Sequence, residues 1–143
     1  VSHTGTNKET AAQKNAGTLE VEYVPQGTLA ERIRAYGAGL GGVLTPTGLG
    51  TVIQEGKQII NVDGKDYILE KPLKADIAFL RANIVDEDGN MVFLGTTQNF
   101  NPLMAMAADY VVVEAEKLVK NGEIAPEQIH ASGIFVDGIY LEK

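Results

Sequence analysis

The chain has 143 residues, 44% of them hydrophobic, a mean hydropathy close to zero and a formal net charge of −7, a size and balance suited to one globular domain. That acidic balance, with no cluster of Lys and Arg, argues against sequence-independent nucleic-acid binding, which needs concentrated positive charge along the phosphates. With no cysteine there is no disulfide frame, thiolate nucleophile or thiolate metal site, and with no apolar run of bilayer length and no secretory leader pattern a cytoplasmic location is expected.

In chain order, Leu19-Glu20-Val21-Glu22-Tyr23-Val24 alternates and reads as a strand that delivers Pro25-Gln26-Gly27 to its C-terminal end. Thr28 and Glu31 have the spacing of a capping box, which predicts a short helix from Leu29 to Tyr36 ending at Gly37. The run Gly37-Ala38-Gly39-Leu40-Gly41-Gly42 then contains the spacing of a dinucleotide fingerprint. That motif requires a strand before it and a helix after it, so that phosphates meet a helix N-terminus. Here the glycines follow a helix and lead into Val43-Leu44-Thr45-Pro46, where the residue before proline is biased away from helix. The order is wrong for a nicotinamide or flavin site.

Thr51-Val52-Ile53-Gln54 and Gln58-Ile59-Ile60-Asn61-Val62 read as short strands, and Asp63-Gly64 is a tight-turn signal leading into Tyr67-Ile68-Leu69-Glu70. A small antiparallel layer is expected there. Asp76 to Ala82 is a mostly apolar run of the kind found in a sheet buried on both faces. Asp86 to Asn90 turns the chain and Met91-Val92-Phe93-Leu94 returns. Asn101-Pro102 opens a helix with an N-cap residue and a proline in the first turn, continuing through Leu103 to Ala108. Tyr110 to Val113 is a second β-branched run, Ala115 to Lys120 a short amphipathic segment ending at Asn121-Gly122, and Ile134-Phe135-Val136 a last strand or hairpin around Asp137-Gly138. Strands alternating with helices predict a single α/β domain over residues 1–143: a mixed sheet with flanking helices and the small antiparallel layer.

Most candidate chemical groups have simple structural explanations. Asp86-x-Asp88-x-Asn90 begins like a calcium loop, but Met91 stands where the loop needs glycine and Thr97 where it needs glutamate, so an acidic turn is expected. His3 and His130 lie far apart and in no zinc spacing, so no metal site is expected. Glu55-Gly56 reads as an ordinary strand end. Asn99-Phe100-Asn101 admits two readings of equal weight: amides that meet an anion beside exposed backbone N–H groups, or Asn101 as a cap with Phe100 as a hydrophobic staple. Gln26 stands out because ligands of α/β sheets gather at the carboxyl ends of strands. Its amide could donate to an acyl oxygen and stabilise a developing oxyanion.

Four ordered stretches together resemble the α subunit of a 3-oxoacid CoA-transferase, most similar to the bacterial acetate or butyrate–acetoacetate type. They are Val24 to Arg34 with Gly37-Ala38-Gly39, Thr45-Pro46-Thr47-Gly48-Leu49-Gly50-Thr51-Val52, Gln54-Glu55-Gly56, and Asn99-Phe100-Asn101, and the likeness runs from His3-x-Gly5-x-Asn7 to Ile129-His130. The resemblance implies the fold shared by CoA-transferases and sugar-phosphate isomerases, with no permanently bound cofactor and a coenzyme A thioester as substrate. It implies CoA moving between a short-chain acyl-CoA and a carboxylic or 3-oxo acid (acetate, butyrate, acetoacetate) through a glutamyl-CoA intermediate. The nucleophilic glutamate belongs to a partner β subunit in an α2β2-type assembly, so no catalytic nucleophile is assigned in this chain. On the matching positions, Gln26 corresponds to the glutamine facing the reacting carboxylate and thioester. Gly37, Ala38, Gly39, Asn99 and Asn101 fall in segments near the boundary between the subunits.

The chain departs from the family pattern in lacking the upstream Gly-Gly-Phe-rich CoA-binding segment and its asparagines, and in carrying Gln98 where relatives often have arginine. With Val1 in place of Met, an N-terminally truncated fragment is expected, inactive alone and prone to self-association through exposed sheet edges. Two other functions compete: a sugar-phosphate isomerase or deaminase whose glycine loop grips phosphate, and a non-catalytic acyl-CoA or anion-binding module. The isomerase reading needs a general base beside Gly37 to Gly50, and only Glu31 and Glu55 lie close in sequence. No nucleic-acid or membrane partner is expected.

Overall fold

The computed structural model describes residues 1–142. Helix α1 (Lys8–Asn15) is capped by the Asn7 carboxamide, which accepts from the Thr10 N–H at 3.0 Å, and buries none of its residues. Helix α2 (Gln26–Gly37) carries the buried residues Thr28, Arg32 and Ala35. Strand β1 (Val43–Thr45) pairs antiparallel with β3 (Lys65–Glu70), which pairs on its other edge with β2 (Ile59–Val62), giving the small antiparallel layer in the order β1-β3-β2. The turn between β2 and β3 places Asp63 and Gly64 both at positive φ, 51° and 79°, as the sequence pair requires.

The second sheet has the order β5-β4-β6-β7 and is mixed. The long strands β4 (Ala75–Asp86) and β6 (Ala108–Val119) run parallel, β7 (Gly138–Leu141) is parallel to β6, and the two-residue β5 (Met91–Val92) is antiparallel to β4. Helix α3 (Asn101–Met104) lies on the connection from β5 to β6. The main core forms on one face of this sheet from Ala78, Leu80 and Ala82 of β4 and Val111, Val113 and Ala115 of β6, with Val85 joining it at the end of β4. Met91, Phe93, Ala105 and Ala131 close it. Asp86 is buried at the end of β4, where its carboxylate accepts from the Asp88 and Asn90 N–H groups and the Asn90 amide, so the acidic turn is a structural device.

Several expected elements differ. Residues 19–24 form no strand: although they alternate, no sheet edge reaches them, and their backbone pairs with the first residue through Val24 N–H to Val1 O at 2.9 Å. Gln26 therefore does not end a strand; it is the first residue of α2. Thr28 is not the N-cap either, because the helix begins two residues earlier behind Pro25, and the Thr28 side chain is buried within it. Thr51 to Gln54 closes as a 3-10 turn over Val52–Gln54, nucleated by the Thr51 hydroxyl accepting from Ile53 N–H, instead of a strand. Ala115 to Lys120 continues β6 through Val119. Residues 133–135 make a 3-10 turn before β7.

The β4 run is buried on one face only: Ala78 and Leu80 are 3% exposed, whereas Ile77 is 52% and Phe79 73% exposed. The expected helix from Asn101 is confined to Asn101–Met104, with Phe100 and not Asn101 at the cap position. The Asn101 side chain is engaged elsewhere, accepting from the Arg81 N–H and donating to the Thr97 carbonyl, so it is not available to cap.

Candidate functional site

Gln26 is exposed on the first turn of α2. Pro25 offers no side-chain acceptor, so no side chain caps the helix, and the first-turn N–H donors keep the electropositive end of α2 uncovered. Beside this end runs a cavity of about 460 Å³, lined by Pro25, Gly27, Thr28, Glu31 and Arg34 of the helix side and by Val43, Leu44, Thr45 and Thr47 of the β1 side. Across its floor the Arg34 guanidinium donates to Glu31 at 2.6 and 2.8 Å, and this carboxylate pushes the Arg34 pKa upward. Both side chains are about half exposed, so the pair shapes the wall more than it holds the fold.

The glycines lie at the opposite end of α2. With a rise of about 1.5 Å per residue, Gln26 and Gly37 are separated by roughly 16 Å along the helix, so the structure does not bring them into one pocket. Each glycine there has a local physical reason. Gly39, at φ +67°, is the left-handed residue of a Schellman end: Leu40 N–H donates to Ala35 O at 2.8 Å and Gly39 N–H to Tyr36 O at 2.9 Å. Gly37 faces Met106, and a Cβ there would lie 2.6 Å from the Met106 Cβ. Ala38, between them, is exposed at the C-cap.

Asn99 and Asn101 sit around the Gly95–Gln98 turn and the start of α3, beyond which Met106 meets the C-terminal end of α2 at Gly37. Asn99 is exposed. Asn101 borders a different cavity, of about 550 Å³, with Phe79, Arg81, Val112, Glu114 and Tyr140 on the open face of the mixed sheet. There Arg81 bridges Glu116 and Glu142, both at 2.8 Å, while Asn83 donates to Glu116 at 2.7 Å. These contacts raise the Arg81 pKa, through Glu116 first, and lower that of Glu116, through Asn83 first. Glu55 is exposed after its turn, and His130 is tied to the fold, accepting from Phe93 N–H at Nδ1 and stacking on the Phe93 ring. Among the described residues no group of three or more His, Asp or Glu could hold a metal ion. No helix among them is long and apolar enough to cross a membrane.

Spacing in the sequence gave no sign of the charged cluster behind α2. Glu70, 2% exposed at the end of β3, receives Lys57 Nζ at 2.7 Å and faces Arg32 Nε at 4.0 Å. Arg32 also donates to the Lys71 carbonyl and to Glu22, both at 2.9 Å. The only local hint was the phase of β3, whose inward positions include both Ile68 and Glu70.

Residues 1–142 match the family model described as coenzyme A transferase. The chain belongs to the coenzyme A transferase family. Among its relatives, the acetate CoA-transferase subunit alpha of Escherichia coli (strain K12) is 50% identical over 142 residues, which are 99% of this chain and 64% of that subunit. The acetoacetyl-CoA:acetate/butyrate CoA transferase alpha subunit of Clostridium acetobutylicum is 52% identical over 141 residues, 99% of this chain and 65% of the relative. The chain thus spans slightly less than two thirds of the length of these coenzyme A transferase subunits. Solved structures agree on the fold: an acyl-CoA transferase apoenzyme from Escherichia coli O157:H7 superposes with a TM-score of 0.88 at 22% identity, covering 99% of this chain and 31% of that one. Glutaconate coenzyme A-transferase from Acidaminococcus fermentans gives 0.81 at 20% identity over 92% of this chain and 48% of its own.

Proposed function

We propose that this chain is the larger part of the α subunit of a CoA-transferase that exchanges CoA between a short-chain acyl-CoA and acetate, butyrate or acetoacetate. The observation that carries the reading is about half identity along nearly the whole chain to subunits named for that chemistry, with Gln26 exposed on the uncapped end of α2, where its neighbours Pro25 and Gly27 line an open cavity.

In this reading a glutamate carboxylate of a partner β subunit attacks the thioester carbonyl, the C–S bond breaks and CoA leaves as a thiolate. The resulting mixed anhydride is attacked at the glutamyl carbonyl by the thiolate, which forms the glutamyl-CoA thioester and releases the first acid. The second acid's carboxylate then attacks that thioester, and the returning thiolate captures its acyl group while regenerating the glutamate. Each addition places negative charge on a carbonyl oxygen. The Gln26 amide is the donor offered to that oxygen, and the N-terminal end of α2 adds a favourable dipole. Gly37, Ala38, Gly39, Asn99 and Asn101, proposed as substrate-side segments, contribute at the subunit boundary and not at this oxygen. The α2β2 assembly and a cytoplasmic location belong to the same proposal.

The test is to combine the full-length subunit with its β partner and follow exchange from acetyl-CoA to acetoacetate. Gln26→Ala is expected to lower kcat by about 100- to 1000-fold, the loss typical of removing one oxyanion donor, while thermal stability stays unchanged because the side chain is exposed. Acyl-CoA binding without exchange in the unaltered complex would instead make the chain part of a binding module.

A further inference from the structure

Gln26 lies where two pieces of chain meet: the extended approach of residues 22–25 and the start of α2. Nothing on Gln26 itself holds that joint, because Pro25 caps nothing. One buried side chain spans it. Arg32, 9% exposed on α2, donates through Nη1 to Glu22 on the approach side and through Nε to the Lys71 carbonyl beyond β3, each at 2.9 Å. Its own carbonyl receives the Leu73 N–H at 2.9 Å, so main chain and side chain of the same residue grip the segment leaving β3. Behind it the Glu70 carboxylate, 2% exposed, is 4.0 Å from Arg32 Nε and is neutralised by Lys57 at 2.7 Å. This cluster lines a cavity of about 420 Å³ that shares no residue with the one beside Gln26.

An apolar side chain at this position would bury the helix equally well. Placing a guanidinium there, with Nη1 on the approach segment and Nε on the segment leaving β3, fixes the direction of α2 against both as well as making contact, since its donors lie in one rigid plane. We infer that Arg32, braced by Glu70 and Lys57 and tied to Glu22, is a positioning residue that sets the orientation of Gln26 toward the reacting carbonyl. The inference rests on the oxyanion role proposed for Gln26. Arg32 touches no substrate in this scheme; it acts only through the start of α2.

The experiment uses the full-length subunit assembled with its β partner and measures acetyl-CoA to acetoacetate exchange in a double-mutant cycle. Arg32→Lys keeps the charge and loses the two-sided fork. It is expected to lower kcat roughly 10- to 100-fold, the scale of a misplacement of about 1 Å, with the KM for acetyl-CoA unchanged within about twofold. In the Gln26→Ala background the same change is expected to alter kcat by less than about twofold, because the group it positions is gone. Glu22→Ala removes the exposed partner without touching the buried charge, and is expected to give a smaller kcat loss that also vanishes in Gln26→Ala.

Equal losses in both backgrounds would overturn the positioning role while leaving Gln26 as the donor. A fall in Tm with unchanged kcat per folded molecule would overturn it too. If Gln26→Ala alone leaves kcat unchanged, the donor assignment falls, and the positioning role falls with it.

Discussion

Replacing Gly37 with alanine separates a packing role from a binding role at one of the glycines marked by the sequence. In an isolated helix the change would help, by about 1 kcal/mol in backbone propensity. Here the added carbon would stand 2.6 Å from Met106 Cβ and 3.1 Å from Met106 O, both fixed to the backbone. Carbon atoms rest at about 3.5 to 4.0 Å, so α2 and the turn that follows α3 must part by close to 1 Å. Overpacking of this kind costs roughly 1 to 3 kcal/mol, and since neither carbon can rotate away the upper end applies, leaving a net loss of about 2 kcal/mol. For a chain of this size that corresponds to a fall in Tm of roughly 4 to 8 °C. Differential scanning calorimetry of the full-length subunit measures it, and an unchanged or raised Tm would refute the packing argument. Normal stability with lost exchange activity would return Gly37 to the substrate-side role.

Asp86→Ala should lower stability by about 2 kcal/mol, because it takes the acceptor away from the part-buried Asn90 N–H and carboxamide, while the Asp88 N–H keeps the Asn121 side chain, and urea unfolding would show less than half that loss if the turn were held by other means. The Glu116 carboxyl, depressed by Asn83 and then Arg81, contributes its tie between β4 and β6 fully above the ordinary carboxylate range and loses it as pH falls through its lowered value. Glu116→Gln should flatten that acid limb, and identical pH–stability curves for the two proteins would contradict the assignment. The chain of residues 1–143 by itself should self-associate through the open face carrying Ile77, Phe79, Tyr110 and Tyr140. Light scattering that finds a stable monomer at high concentration would end that expectation.

What the sequence made legible is what local chemistry decides. Asp63-Gly64 tolerates positive φ and dictated a hairpin; the apolar runs around Leu80 and Val112 marked two strands, though not their full length or their parallel pairing. Helix α1 escaped notice because its residues have no apolar stripe and none is buried, leaving only the Asn7 cap as a signal. Residues 19–24 misled for the complementary reason: alternation describes a strand only if a partner edge exists, and none reaches them. The start of α2 was misplaced because Thr28 and Glu31 imitate a capping box while Pro25 and Gly27 disguise the first turn. The family motifs pointed to Gln26 and to the glycines together, yet their separation at opposite ends of α2 follows from the length of that helix. The Arg32–Glu70 pair joins residues brought close only by the packing of α2 on the end of β3.

Strand β6 is hydrogen-bonded on both edges to parallel neighbours, β4 before it and β7 after it in the chain. Neither ladder can be made by a tight turn, so each must close over a long intervening segment. The amides of Val111 to Ala115 should therefore surrender their protons to solvent only when the whole domain opens, whereas those of α1, which buries nothing, should exchange by local fraying. The slowest-exchanging part of the molecule is then also the part whose partners arrive last, and a chain stopped before Gly138 would carry its central strand as a bare edge.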